Sequence, residues 1–295
     1  MSEQKEDLEK SKAVVKEFLG KMYPGNTLPE QLEEFKGFDF MKLEKNSKYA
    51  NCSSAFDPDD TLLARCVYFV IWCNGDDEYR LPGLVSFDDI GTGRKYRGET
   101  LNTYNTLFGK KDDMGVKKFF NNSDEETKTI IKKFRAKYRT IGNFMLLPDI
   151  KISVNIDKMG GMVEESVESI NTYRGKSSKY RDFFDLSLQG LFGDSDENMP
   201  KLRDANKFYF DFMSEKNGRF CKINFLESYF NADGITVREN LFKHPNPNRP
   251  YQWYFTSETE KEEYRAFAMN YINKASAIID DRAGRICEVL RERLS

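Results

Sequence analysis

Histidine is almost missing: the 295-residue chain has one, His244. Zincin-type sites, HNH-type sites and two-histidine iron sites each need two or more imidazoles, so a single copy cannot build them. A Ser-His-Asp or Cys-His arrangement has only His244 to draw on. That residue lies in Lys243-His244-Pro245-Asn246-Pro247-Asn248-Arg249-Pro250, a proline-rich stretch, where an exposed loop histidine is expected. Cysteine is sparse and odd in number, at Cys52, Cys66, Cys73, Cys221 and Cys287. No C-x-x-C spacing occurs, which removes the usual zinc and thioredoxin signatures. Buried, reduced thiols are expected. No run of 18 apolar residues exists, so no membrane-spanning helix is expected. Residues 1–12 are charged and acidic-leaning, unlike a secretory signal. The expectation is a cytoplasmic protein with no membrane partner. A Walker loop, a G-x-G-x-x-G and a G-x-S-x-G elbow are also missing; Gly91-Thr92-Gly93 lacks the third glycine. Nucleotide hydrolysis by the common route and esterase chemistry therefore have no support. The net charge of −2 gives no whole-protein field that attracts nucleic acid.

What the chain does have is aromatic mass, 24 Phe and 15 Tyr, enough to build a core on rings. Apolar residues at helical spacing predict a helix over 4–22, ended by Pro24-Gly25. Thr27, Pro29 and Glu30 fit the start of a short helix. Asp57 reads as the cap, and Pro58 as the first residue, of a core helix running through 62–72. A short strand is expected at 84–87 and two short helices at 99–108 and 112–120. Ser123 and Glu126 form a capping-box pattern before a helix to about Tyr138. Residues 144–147 read as extended and buried. A helix is expected over 179–191, another from Pro200, and the longest from Ser257 to about Arg293. The fold expected is mainly α: a single helical domain, 1–295, with one or two small β elements and a long C-terminal helix. The alternative subdivision is an N-terminal helical part, 1–110, and a helical core, 111–295.

From Lys128 to Arg139 there are six basic residues and no acidic one. At helical spacing Lys128, Lys132, Arg135 and Arg139 share one face. A solvated face is the ordinary meaning; an anion-facing surface is the sharper one. A second basic cluster follows at Arg174-Gly175-Lys176-Ser177-Ser178-Lys179-Tyr180-Arg181.

The ordered set Phe56-Asp57-Pro58, Leu101-Asn102-Thr103-Tyr104, Thr140-Ile141-Gly142-Asn143, Ile170-Asn171-Thr172-Tyr173-Arg174-Gly175 and Arg181-Asp182-Phe183-Phe184-Asp185-Leu186 is similar to a family of uncharacterised bacterial proteins, a domain of unknown function. The likeness covers most of the chain and implies a fold, not an activity. A shorter run, Arg139-Thr140-Ile141-Gly142-Asn143-Phe144-Met145-Leu146-Leu147, resembles the His-x-Ile-Gly-Asn-Leu-x-Leu-Leu segment of HNH-type nuclease domains in modification-dependent restriction enzymes. Arg139 stands where that histidine would be. The resemblance thus implies that metal-dependent cleavage is lost or replaced.

Two readings compete for the stretch 138–191. In one, Arg139, Arg174, Lys176 and Arg181, with Lys179, build an anion site for a nucleotide or nucleic acid, assisted by Asn143 and Asn171. Asp182 or Asp185 would then supply a metal ligand or base. In the other, these groups pair internally, the arginines with Asp182, Asp185 or another acid, and the asparagines satisfy turns. The protein is then a structural or interaction module, with phage defence as a candidate setting. The second reading is preferred. No cofactor is expected, and no metal-binding residue is assigned. Clustered carboxylates at Asp57, Asp59, Asp60, Asp88 and Asp89 would bring a metal back only by meeting in space. A second copy of the chain is a candidate partner for the last helix.

Overall fold

The computed structural model describes residues 3–50, 57–73, 79–104, 124–158, 162–170, 182–193, 199–246 and 256–295. Helices dominate, with two small two-stranded sheets among the described residues. Helix α1 (Glu3–Met22) buries Val15, Phe18 and Leu19. Helix α2 (Leu28–Phe35) starts where Thr27 donates its backbone N–H (2.7 Å) and its hydroxyl (2.8 Å) to the Glu30 carboxylate. Phe18, Phe35, Phe38, Phe40 and Tyr49 then meet mostly edge to face, and Phe40 carries the contact on to Phe144 at 5.2 Å.

The start of the core helix differs from expectation. Residues Pro58–Asp60 form a separate tight turn, and helix α3 (Leu62–Trp72) is capped by Thr61, whose hydroxyl accepts from the Ala64 N–H at 3.2 Å. Asp57 caps only the preceding turn and makes no cap bond from its side chain. Helix α3 is apolar all round and buried from Cys66 through Trp72. The Trp72 indole N–H donates to the Ile223 carbonyl at 2.8 Å.

Residues 84–87 form no strand; a tight turn, Phe87–Asp89, lies there. The strand is β1 (Tyr96–Thr100), antiparallel to β2 (Phe144–Pro148), with Gly98 opposite Leu146. Glu99 and Thr100 are thus strand, not the start of a helix; residues 105–123, which hold the rest of the two expected short helices and Ser123, lie outside the described residues. Helix α4 (Glu125–Lys137) is capped by Asp124, whose carboxylate accepts from the Thr127 N–H at 2.7 Å. Strand β2 is buried throughout, as expected. A hairpin, β3 (Ile152–Lys158) with β4 (Met162–Glu168), occupies a stretch with no clear pattern.

Helix α5 (Phe184–Phe192) begins behind an extended Phe183, so Asp182 is not on the helix that carries Asp185. Short helices α6 (Met199–Ala205), α7 (Lys207–Met213) and α8 (Arg219–Ile223) follow. The last helix, α9 (Glu258–Leu294), has 37 residues and is about 55 Å long. Ser257 caps it, as the spacing predicts, accepting from the Glu260 N–H at 3.2 Å. It packs on α2, α3, α4 and the turn Ile141–Asn143, so the core gathers along it. No helix among the described residues is long and apolar enough to cross a membrane.

Candidate functional site

The tight turn Ile141–Asn143 sits against α9 so closely that a Cβ on Gly142 would lie 2.1 Å from the Ile279 carbonyl oxygen. Only glycine allows that approach. The next residue, Asn143, is fully buried and spends its whole side chain internally. Its amide donates to the carbonyls of Asn102 (2.6 Å) and Tyr138 (2.8 Å). Its carbonyl oxygen accepts from the Asn102 backbone N–H (3.0 Å) and side-chain amide (3.3 Å). Two donors and two lone pairs are all an asparagine has, so Asn143 has none left for a ligand. Asn102 also donates to the Tyr229 hydroxyl.

Thr103 continues the network. Its hydroxyl donates to the Asp182 carboxylate, and its N–H donates to the Asp182 carbonyl at 3.2 Å. The Tyr271 hydroxyl, from α9, shares its proton between the carbonyls of Thr103 (2.8 Å) and Asp182. Asp182 is fully buried. Asp185, one residue into α5, faces His244, with 3.1 Å between Oδ2 and Nε2.

His244 is therefore not an exposed loop residue; its side chain is wholly buried. The reason is local. Asn240 and Lys243 adopt left-handed backbone angles (φ 45° and 57°), and the Asn240 carbonyl oxygen of the side chain accepts from the His244 N–H at 2.6 Å. That turn points the imidazole inward, among Phe183 (4.5 Å), Phe267 (5.3 Å) and Phe242 (6.2 Å). An ionised Asp185 requires the proton on Nε2, and Nδ1 has no hydrogen-bond partner among the described residues. A carboxylate-anchored imidazole has the parts of a general base, but a fully buried one offers a substrate no approach in this conformation.

Arg139 lies away from this network. It pairs with Asp39 at 3.2 Å and covers the Tyr138 ring at 5.4 Å. Asp39 forms part of a cleft of about 540 Å³ between the ends of α1 and α2, walled by Phe18, Phe38 and Tyr49. Its charge is already matched by Arg139. The structure thus does not bring Arg139 and Asn143 to one site. Asn171, Arg174, Lys176, Lys179 and Arg181 lie outside the described residues.

Among the described residues the buried arginine is Arg282, on α9. Its guanidinium donates to four carbonyl oxygens: Gly142, Phe144 (3.2 Å), Asn224 (3.1 Å) and Phe225 (3.2 Å). Phe225 reaches it from a left-handed backbone, φ 56°. None of those bonds is to a carboxylate. Burial pushes the Arg282 pKa down to about 10, against the pull of Tyr229 and Glu227. Arg282 is a cross-brace, joining α9 to β2 and to the end of α8.

A buried acid mirrors it. Asp59 takes the Thr100 hydroxyl at 2.6 Å. Burial, the neighbouring Asp57 and then Glu99 hold its carboxyl well above the usual carboxylate range. Asp57 pairs with Arg97 at 2.8 Å, and Asp60 takes the Thr92 hydroxyl at 2.8 Å. Asp88 and Asp89 belong to a separate turn, where Asp89 caps the Val85 and Ser86 N–H groups at 2.9 Å each. Among the described residues no three His, Cys, Asp or Glu side chains gather into a group able to hold a metal ion. The thiols of Cys66, Cys221 and Cys287 are buried and pushed up to about 12 by burial, and that of Cys73 to about 11. Cys52 lies outside the described residues.

Compared with known proteins, the chain matches no family model, no curated protein and no solved structure.

Proposed function

We propose that this protein is a structural or interaction module whose central polar residues lock its own fold, and that its partners meet it at the surface. One observation carries the reading: four polar side chains singled out between residues 138 and 191, those of Arg139, Asn143, Asp182 and Asp185, are spent on the protein itself. Asn143 saturates its capacity on Asn102 and Tyr138. Arg139 pairs with Asp39, Asp182 with Thr103, and Asp185 with His244. Leaving any of these groups unmatched costs about 1–3 kcal/mol, which is reason enough for the residue types found there.

Phage defence is the setting this reading adopts, on the nuclease-like run that carries Arg139 in place of a histidine. Calorimetric titration of phosphate and ATP into wild type and Arg139→Gln tests the reading against an interior anion site. The expected result is no heat that depends on Arg139, with the variant less stable by about 1 kcal/mol. A saturable ATP signal that vanishes in a fully folded Arg139→Gln protein would overturn it.

A further inference from the structure

The basic residues of α4 behave differently from the polar core. Lys128, Lys132 and Arg135 lie on one face of the helix, with Arg139 continuing the line, and the first three are exposed. Lys133 is exposed beside them. From Lys128 to Arg135 the helix rises about 10 Å. Some of its charge is already matched: Lys128 pairs with Glu125 at 2.7 Å, Lys137 with Asp280 at 2.6 Å, and Arg139 with Asp39. Lys132 and Lys133 have no partner among the described residues. Arg135 donates its Nε–H to the Tyr104 hydroxyl at 2.8 Å and lies over that ring at 5.0 Å, and its two terminal nitrogens have no hydrogen-bond partner among the described residues. Tyr104 in turn packs edge to face on Tyr138 at 5.0 Å, and Arg139 covers Tyr138 at 5.4 Å. Two guanidinium groups are therefore held on a pair of half-buried tyrosines, with free ammonium groups alongside.

We infer that this face of α4 binds the sugar-phosphate backbone of nucleic acid. The inference rests on the reading that partners meet this protein at its surface. Three features favour a nucleic acid over an acidic protein segment or an anionic membrane. The cations are fixed in a line, which suits a regularly charged strand. Arg135 is exposed and lies over the Tyr104 ring, and a guanidinium offers the forked donors that suit phosphate oxygens. The one apolar side chain exposed on α4 is the methyl of Ala136, and Thr129 is the other uncharged residue there, so a membrane would find no large apolar group to insert. The overall charge of −2 makes such binding local and strongly dependent on salt.

Fluorescence anisotropy with a labelled oligothymidylate of about 16 nucleotides tests this, at low and moderate salt. Wild type is expected to bind. Lys132→Glu/Lys133→Glu, and separately Arg135→Glu, are expected to weaken binding about tenfold or more. The double variant should also lower the salt slope of log K by about 1.4, the share of two single-strand phosphate contacts. Lys132→Arg/Lys133→Arg should restore binding. Melting curves of the lysine variants should match wild type, because those side chains are exposed, and Arg135→Glu should remain folded with a small loss from its Tyr104 contact. No binding by wild type, equal binding by the charge-reversed variants, or equally tight binding of polyglutamate or phosphatidylserine vesicles would overturn the inference. Binding that survives charge reversal on α4 but is lost in a folded Asp182→Asn protein would sink the internal-lock reading as well.

Discussion

Residues 128–139 and 140–147 are neighbours in sequence and opposites in chemistry. The first carries six cations, and those of Lys132 and Lys133 face solvent without a partner among the described residues. The second has no charge, yet it accepts a cation from another helix: the carbonyls of Gly142 and Phe144 hold Arg282. The difference teaches where charge is structural in this fold. A charge is costly only when water is removed from it, so the exposed lysines add little to stability. Among the described residues the guanidinium of Arg282 is buried, and it fixes three chain segments at once. Polar residues in the interior should therefore report on folding, and those on α4 on binding.

The largest break in that contrast comes from Arg282→Met. It leaves four buried carbonyls short of a donor and should cost about 3–5 kcal/mol, read by urea denaturation. A loss below about 1 kcal/mol would show that those carbonyls find other partners.

Next is the pair Asp185 and His244. Asp185→Ala removes the only hydrogen-bond acceptor described at Nε2 and should cost about 2–3 kcal/mol, while Asp185→Asn keeps an acceptor oxygen and should cost about 1 kcal/mol. Equal losses would mean that the carboxylate charge, not its hydrogen bond, holds the imidazole.

Asp59 gives the smallest effect, and one with a sign. Its folded pKa lies above its unfolded value near 3.8. The protonated form therefore favours the fold, fully below 3.8, and that contribution fades as pH rises through the raised value. Asp59→Asn keeps the shape without the titration. Its stability relative to wild type should thus increase with pH above 3.8, measured by denaturation at several pH values. A difference independent of pH would mean that Asp59 does not change its protonation on folding.

Much of the helical frame was legible in the residues. The long last helix and its Ser257 cap follow from spacing, and so do the Thr27 start and the buried strand at Phe144–Pro148. What escaped depends on tertiary partners. Strand β1, Tyr-Arg-Gly-Glu-Thr, has no alternating pattern; β2 and the Asp59 carbonyl place it, and a Cβ on Gly98 would lie 1.8 Å from that oxygen. Thr61 outcompetes Asp57 as a cap because Pro58–Asp60 closes its own turn first. The prolines after His244 suggest an exposed loop, whereas two left-handed residues before it turn it inward. Its one sequence signal is Asn240, a residue suited to that conformation. Arg282 looked like any long side chain on a helix; nothing local shows that four carbonyls await it. Of the candidate anion site, Arg139 pairs with Asp39 and Asn143 with Asn102 and Tyr138, in different places.

The central claim is that Asn143 is a structural pin. Its most direct test is the urea unfolding free energy of Asn143→Ala beside wild type. The account predicts a loss of about 2–4 kcal/mol with an unchanged m value, since four hydrogen bonds in the interior go unmade. A variant as stable as wild type would contradict it.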